Sequence, residues 1–161
     1  MKFIAYTDGG FDMTDQVGAS AVVILNADKT KILYQWAKAR KCALDPEKKQ
    51  RNNEQEIGAV IRAVMSVPDG SFLEIYCDNQ YVVNVLSGMW DAHANKELIE
   101  RYFMEKTQRK ISATMIWVRG HNGDKFNEMA DGLCTTAANN LRNGKGRIIE
   151  SKNLCYERSE K

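Results

Sequence analysis

The chain lacks several features that would place it in specialised classes. It has only two prolines in 161 residues, Pro46 and Pro68, and no low-complexity linker or internal repeat. Its four cysteines, Cys42, Cys77, Cys134 and Cys155, are scattered without a Cys-x-x-Cys pair. That spacing argues against a disulfide framework and against a zinc site. No apolar run approaches the length needed to span a bilayer. The N-terminus has neither the basic region nor the long apolar segment of a signal peptide. An intracellular, cytoplasmic protein with reduced thiols and no membrane partner is expected. Charge of one sign is also scarce: the formal net charge is +2, which permits a polyanionic partner without demanding one.

What is present suits one globular domain with a substantial core. Hydrophobic residues make up 43% and charged residues 27%. The organising stretch is the first, Phe3-Ile4-Ala5-Tyr6-Thr7-Asp8-Gly9-Gly10. Its continuous apolar run predicts a strand covered on both faces, ending in a carboxylate and two glycines. Taken alone, Asp-Gly-Gly reads equally as a turn. Gly18–Leu25 and Ile32–Ala37 predict two further strands, joined by a turn at Asn26-Ala27-Asp28. Asp45-Pro46-Glu47-Lys48-Lys49 reads as a loop.

A helix is expected from Asn53, with Asn53 as N-cap, Glu56 as its capping-box partner, and Ile57, Val60, Ile61 and Val64 on one face. Phe72–Asp78 predicts a fourth strand, again ending in an acid, and a short helix follows from Asn79. Lys96 to Lys106 predicts another helix with Leu98, Tyr102 and Phe103 as its apolar side, and Ser112–Val118 a fifth strand. Arg119-Gly120-His121-Asn122-Gly123-Asp124 reads as a mobile loop before a last helix starting near Lys125. The stripe of that helix is Ala130, Leu133, Cys134, Ala137 and Leu141. From Asn143 onward, glycines and charges predict a frayed tail. The expected organisation is an α/β domain over 1–143 and a tail over 144–161, with a mixed sheet flanked by helices.

Four acids share a logic in this arrangement. If the first and fourth strands are parallel neighbours, Asp8 and Asp78 emerge side by side at one sheet edge. Glu56 and Asp131 each border the buried stripe of a helix, so each can lean toward the same cleft. Four carboxylates in one place require a cation to stay ionised, and oxygen-only ligands favour Mg²⁺ or Mn²⁺. Two such ions about 4 Å apart activate a water and stabilise a leaving oxygen in phosphodiester cleavage. Individually, Glu56 also reads as a cap partner and Asp131 as a solvated helix residue. His121 sits in a glycine-flanked loop rather than on an apolar face, which favours exposure over a core role.

Five stretches together resemble type I ribonuclease H: Tyr6-Thr7-Asp8-Gly9-Gly10, Asn52-Asn53-Glu54-Gln55-Glu56, Cys77-Asp78-Asn79-Gln80-Tyr81-Val82, Trp117-Val118-Arg119-Gly120-His121-Asn122-Gly123 and Asn127-Glu128-Met129-Ala130-Asp131. They follow the family's order and spacing up to about Leu141. The resemblance implies an RNase H-like fold, a five-stranded mixed sheet with the first three strands antiparallel. It implies an endoribonuclease that hydrolyses the RNA strand of RNA–DNA hybrids with two Mg²⁺ ions, acting as a monomer. Asp8, Glu56, Asp78 and Asp131 would be the metal-binding acids, and His121 the histidine that assists proton transfer or product release. Asn52, Asn53 and Gln80 would contact the minor groove of the hybrid, and Asn95 a DNA-strand phosphate. Asn95 also reads as a plain N-cap.

The chain departs from the family pattern at three places, the first being the loop after Gly10, which is acidic and polar rather than Gly/Pro-rich. Arg51 stands where the family often has Thr, and a guanidinium there can bind phosphate by charge and fork geometry. Between Tyr81 and Asn95 there is no Lys or Arg, so the basic protrusion of some members is not expected. Competing readings are another nuclease of the same superfold, such as a junction resolvase or proofreading exonuclease, and a non-catalytic hybrid-binding module. The Asn52-Asn53 and Asp78-Asn79-Gln80 contexts speak against the first. The full set of four acids and a histidine speaks against the second.

Overall fold

The computed structural model describes residues 1–43 and 51–152. The loop expected at Asp45 to Lys49, and Cys155, lie outside them. Strands β1 (Lys2–Asp12), β2 (Val17–Asn26) and β3 (Ile32–Lys41) form an antiparallel meander. Helix α1 (Arg51–Ser66) leads to β4 (Phe72–Cys77), which pairs in parallel with the other side of β1. Helices α2 (Gln80–Leu86) and α3 (Lys96–Gln108) precede β5 (Ser112–Trp117), which is parallel to β4. Helix α4 (Lys125–Arg142) and strand β6 (Ile148–Lys152) follow. The sheet order is β5-β4-β1-β2-β3-β6.

Strand alternation sorts the core into two faces. Phe3 and Ala5 of β1, with Val22 and Ile24 of β2, join the largest cluster against Ile57, Val60, Ile61 and Val64 of α1. Ile4 and Tyr6, with Val23 and Leu25, face the opposite way, toward Ala130 and Leu133 of α4. Burying each such large side chain contributes about 1.5–3 kcal/mol, so the central strand anchors both layers. Farther along, Ala19, Ala21, Ala37 and Ala39 meet Cys134, Ala137 and Ala138. Small side chains on both partners bring α4 close to the sheet there, and so bring its N-terminal half toward the end of β1. Asp124 caps α4 by accepting from the backbone N–H groups of Phe126 and Asn127 at 3.0 and 3.1 Å.

The structure corrects three expectations. The sheet has six strands rather than five, because residues 148–152 of the expected frayed tail pair antiparallel with β3. The free edge of β3 offers unpaired backbone groups, Ile149 packs on the alanine-rich cluster, and the Tyr34 hydroxyl donates to Glu150 at 2.6 Å. Helix α1 begins by Arg51, so Asn53 lies inside its first turn rather than capping it. On α3 the buried residues are Ile99 and Tyr102, whereas Phe103 is exposed.

Candidate active site

Thr7 and Cys77 are paired across the parallel β1–β4 ladder. The parallel ladder stops there, and the next residue on each side is an acid. Asp78 follows the end of β4, whereas β1, expected to end at Asp8, runs on to Asp12 with Asp8 still paired to Ala21 of β2, so the two acids stand side by side where the ladder ends. Glu56 arrives from α1, which crosses over the end of β1. The crossing depends on Gly9: a Cβ there would stand 2.4 Å from the Glu56 backbone nitrogen and 2.5 Å from the Gln55 carbonyl carbon. Carboxylate oxygens of Asp8, Glu56 and Asp78 consequently lie within 4.8 Å of one another. Asp131, about two turns into α4 beyond the cap, lines the same cleft, and its charge acts on the Asp8 carboxyl.

The electrostatics follow from this crowding. Asp8 and Glu56 are only 7% and 4% exposed. Burial, and then the charges of Asp78 and Asp131, push the Asp8 pKa up to about 7. Burial, and then Asp8 and Asp78, raise Glu56 well above the usual carboxylate range. The Cys77 thiol, itself raised by burial, donates to Glu56 Oε2 at 3.6 Å. Cys134 donates to the Asp8 carbonyl oxygen at 3.5 Å. With only carboxylate oxygens as charged donors, this set fits a hard divalent cation such as Mg²⁺ or Mn²⁺.

Asp78 is held from several sides. Asn127, 2% exposed, donates from Nδ2 to Asp78 Oδ2 at 3.5 Å. Trp117 Nε1 donates to the Asp78 carbonyl at 3.3 Å. A Cβ on Gly120 would stand 3.0 Å from Asp78 Oδ2, so the following loop passes directly over this acid. The loop carries His121, exposed, with a left-handed φ of 55°.

An open cleft of about 920 Å³ contains all four acids, His121, Asn52, Asn79 and, at its far end, Arg142. Asn52 Oδ1 accepts from the Phe11 N–H at 2.7 Å, which ties α1 to the end of β1. The remaining expected contacts lie outside the cleft lining. Asn53 Oδ1 accepts from Asn79 Nδ2 at 2.7 Å, and Gln80 is exposed at the start of α2. Asn95 precedes α3 with φ 58° and makes no side-chain cap bond. Arg51 turns inward: its guanidinium donates to both Glu54 oxygens, at 3.1 and 2.9 Å, and to the Ala43 carbonyl at 2.8 Å. Asn127 and Asn79 were not singled out from sequence as site residues. Asn79 follows a strand-ending acid, and Asn127 lies four residues before Asp131 on the helix face that carries it, which are the signals that could have found them.

A mixed sheet that gathers carboxylates where the parallel β1–β4 ladder stops, with helices on both faces, has the architecture of an α/β nuclease domain. The RNase H family profile matches residues 1–139, and the chain belongs to the ribonuclease H family. The Ribonuclease H of Methylorubrum extorquens (strain PA1) is 33% identical over 157 residues, covering 90% of this chain. The chain spans 64% of that relative's length. The Ribonuclease H of Anaeromyxobacter dehalogenans (strain 2CP-C) is 28% identical over 160 residues, covering 92% of this chain and 86% of its own. Two solved structures share the fold. The N-terminal RNase H domain of a Mycobacterium tuberculosis protein, solved as a maltose-binding-protein fusion, has a TM-score of 0.71 at 19% identity, covering 89% of this chain and 97% of that one. LC11-RNase H1, isolated from compost by a metagenomic approach, has a TM-score of 0.73 at 21% identity, covering 88% and 98%. Among the described residues, no helix is long and apolar enough to cross a membrane.

Proposed function

We propose that this chain is an endoribonuclease that hydrolyses the RNA strand of RNA–DNA hybrids, acting as a cytoplasmic monomer. The observation that carries the reading is the convergence of Asp8, Glu56 and Asp78, with oxygens within 4.8 Å of one another in an open cleft. Together with Asp131 they would hold two Mg²⁺ ions, with Mn²⁺ as an alternative. Bound there, such ions supply an activated water and charge stabilisation at the phosphate.

The chain's own groups do the rest. Asp8 and Glu56 are buried enough to hold a cation tightly but must lose their protons to do so. His121, exposed at the mouth, exchanges a proton at the leaving oxygen or helps the product depart. Asn52 spends its side-chain oxygen on Phe11, leaving its NH₂ as a donor to the hybrid. Asn53, Gln80 and Asn95 are the further candidate contacts, suited to base edges, 2′-hydroxyls or a phosphate. Arg51 reaches a phosphate only by giving up part of its grip on Glu54.

The test is cleavage of end-labelled hybrid, duplex DNA and duplex RNA by the purified protein, with Mg²⁺ and with chelator. Internal cuts in the RNA of the hybrid alone, abolished by chelation, are expected. Equal cutting of duplex DNA would overturn the substrate assignment.

A further inference from the structure

A second groove lies on the other side of the first turns of α1. Its volume is about 240 Å³, and Trp36, Lys38, Arg40, Glu54, Arg62 and Arg101 supply its aromatic and charged lining. Glu54 and Gln55 open this groove, while Asn52 and Glu56 border the catalytic cleft, so one helical turn separates the two. From Glu54 to Met65 the groove follows α1 for about 17 Å. That length matches about five phosphates of one strand at an axial rise of about 3.4 Å each.

Its charge is out of proportion to the rest of the chain. Four cations line it against the single carboxylate of Glu54, whereas the whole chain carries a formal +2. Glu54 is doubly neutralised, by Arg40 at 2.9 Å and by Arg51, which stands outside the groove. Arg62 pairs with Glu150 at 3.2 Å and lies over the Trp36 ring at 4.8 Å. Lys38 and Arg101 are different: among the described residues neither has a carboxylate partner, and the Arg101 contact is the Met65 sulfur at 3.9 Å. Two cations without a carboxylate partner among the described residues therefore line the same concave strip, one from β3 and one from α3.

We propose that this groove holds the phosphodiester backbone of nucleic acid extending past the catalytic cleft, with Lys38 and Arg101 as the phosphate contacts. The proposal rests on the nucleic-acid reading of the cleft and extends its footprint to the far side of α1. The contacts are to charge alone, so they add affinity without base preference.

The experiment is fluorescence anisotropy in EDTA, so that no cleavage occurs, with a labelled hybrid of about 24 base pairs and one of about 8, across a salt series. The Lys38→Gln/Arg101→Gln double variant is expected to bind the long hybrid more weakly. Its slope of log affinity against log salt should be shallower by about 2, near 0.9 per lost contact, with the short hybrid unaffected. Each single variant should give about half the change. A double variant with the wild-type slope on the long hybrid overturns the proposal. So does an equal flattening by Lys145→Gln/Arg147→Gln, which removes the same charge outside the groove. Hybrid cleavage by wild type in Mg²⁺ is scored separately. Cleavage with an unchanged slope would sink the groove and leave the nuclease. A changed slope without cleavage would sink the hydrolase reading and leave the groove.

Discussion

Gly9 and Glu56 are in backbone contact: a single methyl on Gly9 would lie 2.4 Å from the Glu56 nitrogen. The glycine thus sets how far α1 sinks onto β1, and with it the reach of the Glu56 carboxylate toward Asp8. We expect Gly9→Ala to force the helix outward, costing about 1–3 kcal/mol as an overpacked contact. Mg²⁺ affinity should fall with it. Gly10 has open space at the same point, so Gly10→Ala is the control and should leave melting temperature and Mg²⁺ titration close to wild type. Equal behaviour of the two variants would show that the close approach does not position the site.

Asp8 makes stability depend on pH in an unusual direction. Its folded pKa is raised from 3.8 to about 7, so between those values the folded chain holds a proton that the unfolded chain has lost. Stability from this group is full below the unfolded value and disappears as pH rises through about 7. Glu56 moves in the same direction. In chelator, Asp8→Asn should melt higher than wild type at about pH 8 and by a smaller margin at about pH 5. Mg²⁺ should raise the wild-type melting temperature more at the higher pH. The same variant should lose hybrid cleavage. Wild-type turnover in Asp8→Asn, or a pH-independent margin, would contradict the cluster's assigned role.

His121 stands on a loop at the mouth and outside the group of mutually close carboxylates. His121→Ala is expected to lower kcat by about 10²-fold, the scale of acid–base assistance, while the Mg²⁺ dependence stays in place. A shifted Mg²⁺ midpoint with unchanged kcat would move this histidine from proton handling to metal holding.

Asn127 is buried with its amide on Asp78. Groups that orient a metal ligand from behind typically cost 10–100-fold in metal affinity when removed. Asn127→Ala should weaken Mg²⁺ binding on about that scale, measured by calorimetry, and saturating Mg²⁺ should restore much of the rate. Loss of rate at every Mg²⁺ concentration, with unchanged affinity, would assign Asn127 to substrate instead.

Much of the fold was legible because its signals are local. Phe3–Tyr6 reads as a doubly covered strand from composition alone, and it is buried on both faces. Asp78 declared itself as a strand end. Asp8 did so too but lies inside β1, which continues to Asp12 because β2 pairs with it through Gly9 and Gly10, and the parallel pairing of β1 with β4 still puts the two acids together. What was hidden depends on tertiary partners. Ile148–Lys152 has no strand pattern strong enough to stand apart from its glycine- and charge-rich surroundings; it becomes a strand because β3 offers a free edge. Arg51 looked like a phosphate ligand because sequence cannot show that Glu54, one turn away, is buried and claims its guanidinium. The short-range hydrogen bond of Asn79 to Asn53 crosses from the end of β4 to α1, a distance no periodicity reveals.

The four acids proposed to hold metal come from β1, α1, the end of β4 and α4, so they are spread along the chain from residue 8 to residue 131. No fragment ending before α4 carries the whole set. During synthesis, the proposed site is therefore complete only once α4 has been made and docked. Until α4 docks, a nascent chain lacks Asp131 beside the other three acids, so the proposed site is incomplete however well the sheet has formed.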